Sequence, residues 1–223
     1  RSEATRLLRH HPDYPRWLEH AGKKESERDR RIFIEASTWP DKIRKDERFY
    51  SANKGGPTPT LPGFPDMERR SDWHAVSIPL NGNFDDEPLS GQLRQRLPEL
   101  LQTLGERIPG AADSNKEMAR SYALPWLIHL AGDSHQPLHT SARLDVAGGY
   151  WDRLGKKLKV HNPFNPRKPV STLHDFWDDL PGSLRLRSDS FDAAAQTLAA
   201  KYARVDRSVD SKRWIKESWQ LAK

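Results

Sequence analysis

The chain contains no cysteine. That excludes disulfides and every metal site built on thiolate, and leaves the compartment open. Long apolar runs are missing too, and mean hydropathy is clearly polar at −0.89, so no membrane-spanning helix is expected. The opening residues, Arg1-Ser2-Glu3-Ala4-Thr5, carry no signal-peptide pattern. There are no internal repeats and no low-complexity tract, and strand signals are too sparse for a central sheet. What the chain has is charge: 37 basic against 31 acidic residues, with a pI near 9.5. The excess mildly favours an anionic partner but is common in proteins that touch no nucleic acid. At 223 residues, one good core and one domain are expected.

Helical patterns dominate. Leu7, Leu8, Tyr14, Trp17 and Leu18, interrupted by prolines, predict one or two short helices over about 4–20. A helical stretch from Arg30 runs into Thr38-Trp39-Pro40-Asp41. Residues 46–72 are rich in proline and glycine, without period, and predict a long loop. Leu93, Leu97, Leu100, Leu101, Leu104 and Ile108 fall at helical spacing, with Pro98 inside; Asp113 or Ser114 can cap a long helix over 115–132. An irregular stretch with Ala147-Gly148-Gly149-Tyr150 leads to a β-like run, Lys157 to Val160. Phe191, Ala194, Ala195, Leu198 and Tyr202 mark another helix, and about 208–222 a last one. The fold class expected is all-α.

The segment from His129 to His139 is the most informative. His129 and Asp133 are four apart and share one helical face. His139 follows Pro137, where a helix cannot easily continue. His174 and Asp178 repeat the four-residue spacing downstream. One such pair is commonly a surface hydrogen bond. Here, however, His129 lies in the apolar run Ala123 to Ala131, and a buried imidazole beside a buried carboxylate must be paired or metal-bound. Imidazole plus carboxylate, twice over and without thiolates, points to zinc rather than to calcium or magnesium. His135 is either a further ligand or a hydrogen-bonding partner that orients Asp133.

Four blocks in order resemble the zinc-dependent, single-strand-specific nucleases of the S-one/P-one type: Ala36 to Arg44, Trp73-His74, His129 to His139, and Leu173-His174 to Trp177-Asp178. Trp214 to Ala222 resembles that family's late helix, so the likeness runs from about residue 30 to the end. The resemblance implies the all-helical, single-domain fold shared with zinc phospholipases C, with a metal cluster in a cleft and long irregular loops. It implies one zinc held by Asp41, His74, His129 and Asp133, and a second by His139, His174 and Asp178. A third zinc in that family shares the Asp133 carboxylate and takes its other ligands from an N-terminal tryptophan and a nearby histidine. No such pattern opens this chain, where His10, His11 and His20 stand out of the family's context. The expectation is therefore that the family's first segment and its last helix are missing.

Where the family carries an aromatic and a base-reading residue after Trp-His, this chain has Ala75 and Ser77. Phe49, Tyr50 and Phe64 of the 46–72 loop are the substitutes weighed for stacking a base, against a surface loop with incidental aromatics. The resemblance implies a zinc-dependent endonuclease acting on single-stranded DNA and RNA with 5′-phosphate products, and 3′-nucleotidase activity as a further expectation. In it Asp41 orients or deprotonates the nucleophile, and Arg44 neutralises phosphoryl charge. Two alternatives stand beside it, a zinc phospholipase C and a catalytically impaired metal-binding homologue. The phospholipase branch typically has Glu at the position of Asp178 and lacks the Ser37 to Asp41 block. Single-stranded nucleic acid or nucleotide is the expected partner, with no stable membrane association and no obligate protein partner. Secretion or periplasmic export is implied by the resemblance alone.

Overall fold

A computed structural model describes residues 2–22, 24–49, 59–105, 114–145, 150–163, 169–179, 188–201 and 209–223. Tyr50, Ile108, Asp113, Ala147 to Gly149 and Tyr202 lie outside the described residues. The chain is mainly helical, in the order α1 (Ser2–Leu8), α2 (Tyr14–His20), α3 (Glu25–Lys42), β1 (Ile78–Pro79), α4 (Leu93–Gly105) and α5 (Ser114–Ser134). A 3₁₀ turn at Pro137–His139 follows, then β2 (Ser141–Ala142), β3 (Leu144–Asp145), β4 (Tyr150–Trp151), β5 (Lys159–His161) and β6 (Val170–Thr172). Three helices close the order: α6 (Leu173–Asp179), α7 (Ser188–Lys201) and α8 (Ser211–Ala222). Among the described residues the strands form two-stranded pairs, β1 with β2 in parallel and β3–β4 and β5–β6 antiparallel. The all-α expectation holds.

The residues group into two compact units, 1–75 with 91–133, and 76–90 with 134–223. The first is built on an aromatic core. Ile32, Ala36, Trp39 and Ile43 recur every three or four residues along α3 and are buried, as a 3.6-residue period requires of a core-facing stripe. Trp39 meets Phe49, Tyr122 and Trp126 edge-on, with centroids 5.6–5.9 Å apart. His11 stacks on Trp17 at 4.4 Å and lies edge-on to Trp39 at 4.8 Å. Its Nδ1 accepts the Asp13 backbone N–H, so the ring is neutral with its proton on Nε2. Burial pushes its pKa down to about 3.

A buried carboxylate anchors the same core. Asp13 accepts from Trp39 Nε1 at 2.7 Å and from both terminal nitrogens of Arg48 at 2.8 and 3.0 Å. Burial alone would raise its pKa; the Arg48 and Trp39 hydrogen bonds outweigh burial and hold it below the usual carboxylate range. Phe49 and Phe64, from the stretch expected to be a surface loop, are both buried and 5.5 Å apart, edge to face. Their ring faces serve the core and do not stand open to a base.

In the second unit, α8 presents Ile215, Ser218 and Trp219 as its buried stripe, and Trp219 meets Phe84 at 5.9 Å. The Asp210 side chain accepts from the Arg213 N–H and starts that helix. The Thr172 hydroxyl accepts from the Asp175 N–H in the first turn of α6, so the helix springs directly from β6.

Candidate metal centres

In the first unit α3 brings Asp41, α5 brings His129 and Asp133, and a turn at 71–74 brings His74. Pro40 and Pro125 both lie inside these helices, where each removes one backbone N–H from the ladder. His129 Nδ1 donates to the Ser37 carbonyl of α3 at 2.9 Å. That bond fixes the tautomer and leaves the lone pair on Nε2. Nε2 points at His74 Nδ1, 3.1 Å away, and at Asp133 Oδ2, 3.4 Å away. His74 Nδ1 is 3.1 Å from Asp133 Oδ2 and 3.9 Å from Asp41 Oδ1, and His129 Nε2 is 3.8 Å from Asp41 Oδ2.

These separations test the fit to zinc. Four donors placed tetrahedrally at 2.0–2.1 Å from a zinc ion stand about 3.4 Å from one another. His74 Nδ1, His129 Nε2 and Asp133 Oδ2 stand 3.1–3.4 Å apart, near that value, and Asp41 brings Oδ1 within 3.9 Å of His74 and Oδ2 within 3.8 Å of His129. The chemistry agrees: two imidazoles and two carboxylates, without a hard-oxygen cage. The His74, His129 and Asp133 side chains are only 7, 13 and 12% exposed, whereas Asp41 is 57% exposed and forms the open side. Trp126, one turn before His129, packs edge-on against His74 at 5.7 Å and at a tilt against Trp73 at 4.9 Å, which holds the Trp73-His74 turn in place.

The second unit carries a matching arrangement. His139 ends the 3₁₀ turn that Pro137 opens, and α6 carries His174 and Asp178 one turn apart. His139 and His174 stack with centroids 4.8 Å apart and planes 12° from parallel. Again the Nδ1 proton is given to a main-chain oxygen, here from His174 to Leu154 at 2.9 Å. Burial, then the neighbouring His139, hold the His174 pKa below its usual value, which favours the neutral ring that a ligand requires. His174 Nε2 lies 3.7 Å from Asp178 Oδ2, while the other Asp178 oxygen accepts from Gln136 Nε2 at 2.9 Å. One donor atom from each of His139, His174 and Asp178 falls within 4.8 Å of the others, as it does for Asp41, His74 and His129.

A family model for S1/P1 nuclease matches residues 7–223, nearly the whole sequence and both units. The chain belongs to the S1/P1 nuclease family. Members of this family are nucleases, hydrolases of phosphoric esters, and are generally zinc-dependent. No curated protein matches the chain.

Of the seven residues expected to hold metal, Asp41, His74 and His129 come together in one group and His139, His174 and Asp178 in the other; Asp133 lies outside both groups but within 3.1 Å of His74 and 3.4 Å of His129. His135 joins neither: it is exposed, with its ring against Trp214 at 5.5 Å and its Nδ1 3.3 Å from the Ser134 hydroxyl. His10 and His20 are exposed and His11 is core. Arg44 stands in the turn just after α3 and pairs with Asp41 at 3.2 Å, half-exposed. Ser77 is buried with its hydroxyl 2.9 Å from that of Ser90. Sequence reasoning gave no role to Gln136, nor to the Ser37 and Leu154 carbonyls. Gln136 was visible within the motif; the carbonyls carry no signal, since every residue has one.

Proposed function

We propose that this S1/P1 nuclease is a zinc-dependent phosphodiesterase that cleaves single-stranded DNA and RNA to 5′-phosphate products, with 3′-nucleotidase activity by the same chemistry. The observation that carries the reading is the pair of imidazoles, His129 and His174, each locked through Nδ1 onto a main-chain carbonyl with Nε2 turned towards neighbouring ligand atoms. Asp41, His74, His129 and Asp133 would hold zinc in one unit, and His139, His174 and Asp178 in the other. Zinc bound there supplies a water acidic enough to ionise near neutrality and positive charge for a phosphoryl group.

The chain's own groups do the rest. Asp41, the exposed carboxylate, orients the attacking water and accepts its proton. Arg44, beside it at 3.2 Å, neutralises charge on the non-bridging oxygens as the new oxygen–phosphorus bond forms. The bond to the 3′ oxygen breaks, and that oxygen leaves after taking a proton from solvent water, while Asp41 returns the proton it accepted to solvent. The burial of His74, His129 and Asp133 supports preference for a flexible single strand over a rigid duplex. Secretion or periplasmic export belongs to the same reading.

Cleavage of a single-stranded oligonucleotide, its duplex and short-chain phosphatidylcholine, each with zinc and with chelator, tests it. Zinc-dependent cutting of the single strand alone, with 5′-phosphate ends, is expected. Hydrolysis of the lipid instead, or cutting that survives chelation, overturns the reading.

A further inference from the structure

Gln136 sits at the start of the 3₁₀ turn that ends in His139, and its two amide atoms are committed to different partners. Oε1 caps the turn by accepting the Leu138 backbone N–H. A backbone N–H can be met only by the amide oxygen, so this contact settles which way the amide faces. Nε2 must then be the atom that donates to Asp178 Oδ1 at 2.9 Å. Asp178 is 49% exposed near the end of a short helix, where a carboxylate samples several rotamers unless it is held. With Oδ1 occupied by Gln136, Oδ2 is the oxygen turned to His174 Nε2, 3.7 Å away.

We infer that Gln136 is a positioning residue for the second metal group: its amide ties the turn carrying His139 to the helix carrying His174 and Asp178. It thereby presents Asp178 as a one-oxygen ligand. An amide nitrogen is no zinc ligand, and the amide oxygen is spent on the turn, so Gln136 acts through Asp178. Such outer partners of ligating carboxylates are worth about 10–100-fold in metal affinity. The inference rests on the reading of His139, His174 and Asp178 as zinc ligands.

The experiment is a zinc titration of the full chain against a chromophoric chelator, repeated with cobalt to read the visible ligand-field bands. The binding class lost in His174→Ala identifies the second group, and the class lost in His129→Ala the first. If wild type and His174→Ala bind the same zinc, the metal reading itself fails. Gln136→Met removes both amide functions and is expected to weaken the second class about 10–100-fold, with the first unchanged. Gln136→Asn keeps a capping oxygen but is one carbon–carbon bond too short to reach Asp178, and is expected to show the same loss with the turn intact. It also serves should the methionine variant not fold. In an Asp178→Ala background neither substitution is expected to weaken binding further, because coupled residues are non-additive. Wild-type affinity and cobalt spectrum in Gln136→Asn, or an equal loss with and without Asp178, overturns the inference.

Discussion

His129 and His174 each spend one ring nitrogen on a main-chain oxygen, and the consequence is that side-chain substitutions cannot remove the atoms that aim them. The ligands themselves can be reached. Asp133→Ala removes a carboxylate close to both His74 and His129; phosphodiesterase activity is expected to vanish and one class of zinc to leave, measured by elemental analysis beside turnover. Arg44→Ala is expected to keep its zinc and lower kcat by about 100–1,000-fold, with KM little changed, as for a group that acts mainly in the transition state; wild-type turnover removes Arg44 from the mechanism. His11 gives a stability test away from the metals. Unfolded, it takes up a proton below pH 6.5; folded, it stays neutral down to about 3. Between those values the unfolded chain binds more protons, so stability falls as pH falls, by about 1.4 kcal/mol per unit. Denaturant midpoints of wild type and His11→Phe at pH 7 and 4.5 check this, and the variant is expected to lose less on acidification. The side chains of the two candidate groups were legible in the sequence because zinc demands particular residue types at helical spacing. Phe49 and Phe64 were not, because an aromatic in a proline-rich stretch has no period to say which way it faces, and rings distant in sequence, among them Trp39, His11 and Tyr122, decide it.

At the level of elements, the prolines inside α3, α4 and α5 did not hide these helices, since the apolar stripes continue through them. The turn over 153–155 was illegible. Arg153, Leu154 and Gly155 all have positive φ, at 51°, 61° and 76°, a region that costs non-glycine residues roughly 1–2 kcal/mol each. This left-handed run aims the Leu154 carbonyl at His174. Nothing in Arg-Leu-Gly announces it, because the demand comes from the ring that receives the bond. A Cβ at Gly155 would stand 2.9 Å from a Leu138 methyl and 3.4 Å from the His174 backbone nitrogen. Gly155→Ala is therefore expected to lower stability by about 1–2 kcal/mol and to weaken zinc at the His174 group, with the His129 group unchanged. Thermal midpoints with and without zinc, beside the titration, measure both; an alanine variant with wild-type zinc affinity disconnects the turn from the metal.

For the molecule as a whole, substrate selection should follow charge and strand flexibility more than base identity. Ala75 offers no ring, Ser77 is committed to Ser90, and Phe49 and Phe64 belong to the core. Cleavage rates on homopolymeric oligonucleotides are expected to differ little, and binding to weaken with salt at a log–log slope of about −0.7 per phosphate contacted. A strong bias towards one base would reveal a recognition pocket outside these residues. Among the described residues no helix is long and apolar enough to cross a membrane.

The path of the chain sets a limit on how such a protein can change over generations. The backbone passes between the two units at 75–76, 90–91 and 133–134. The second unit borrows 76–90 from within the span of the first, and there Ile78 pairs with Ser141. A single recombination point anywhere from residue 76 to 133 therefore parts a strand from its partner or His74 from Asp133. One exchange between 133 and 139 leaves each metal group whole but parts Ile78 from Ser141, so the two groups can be inherited separately only by breaking the β1–β2 pairing.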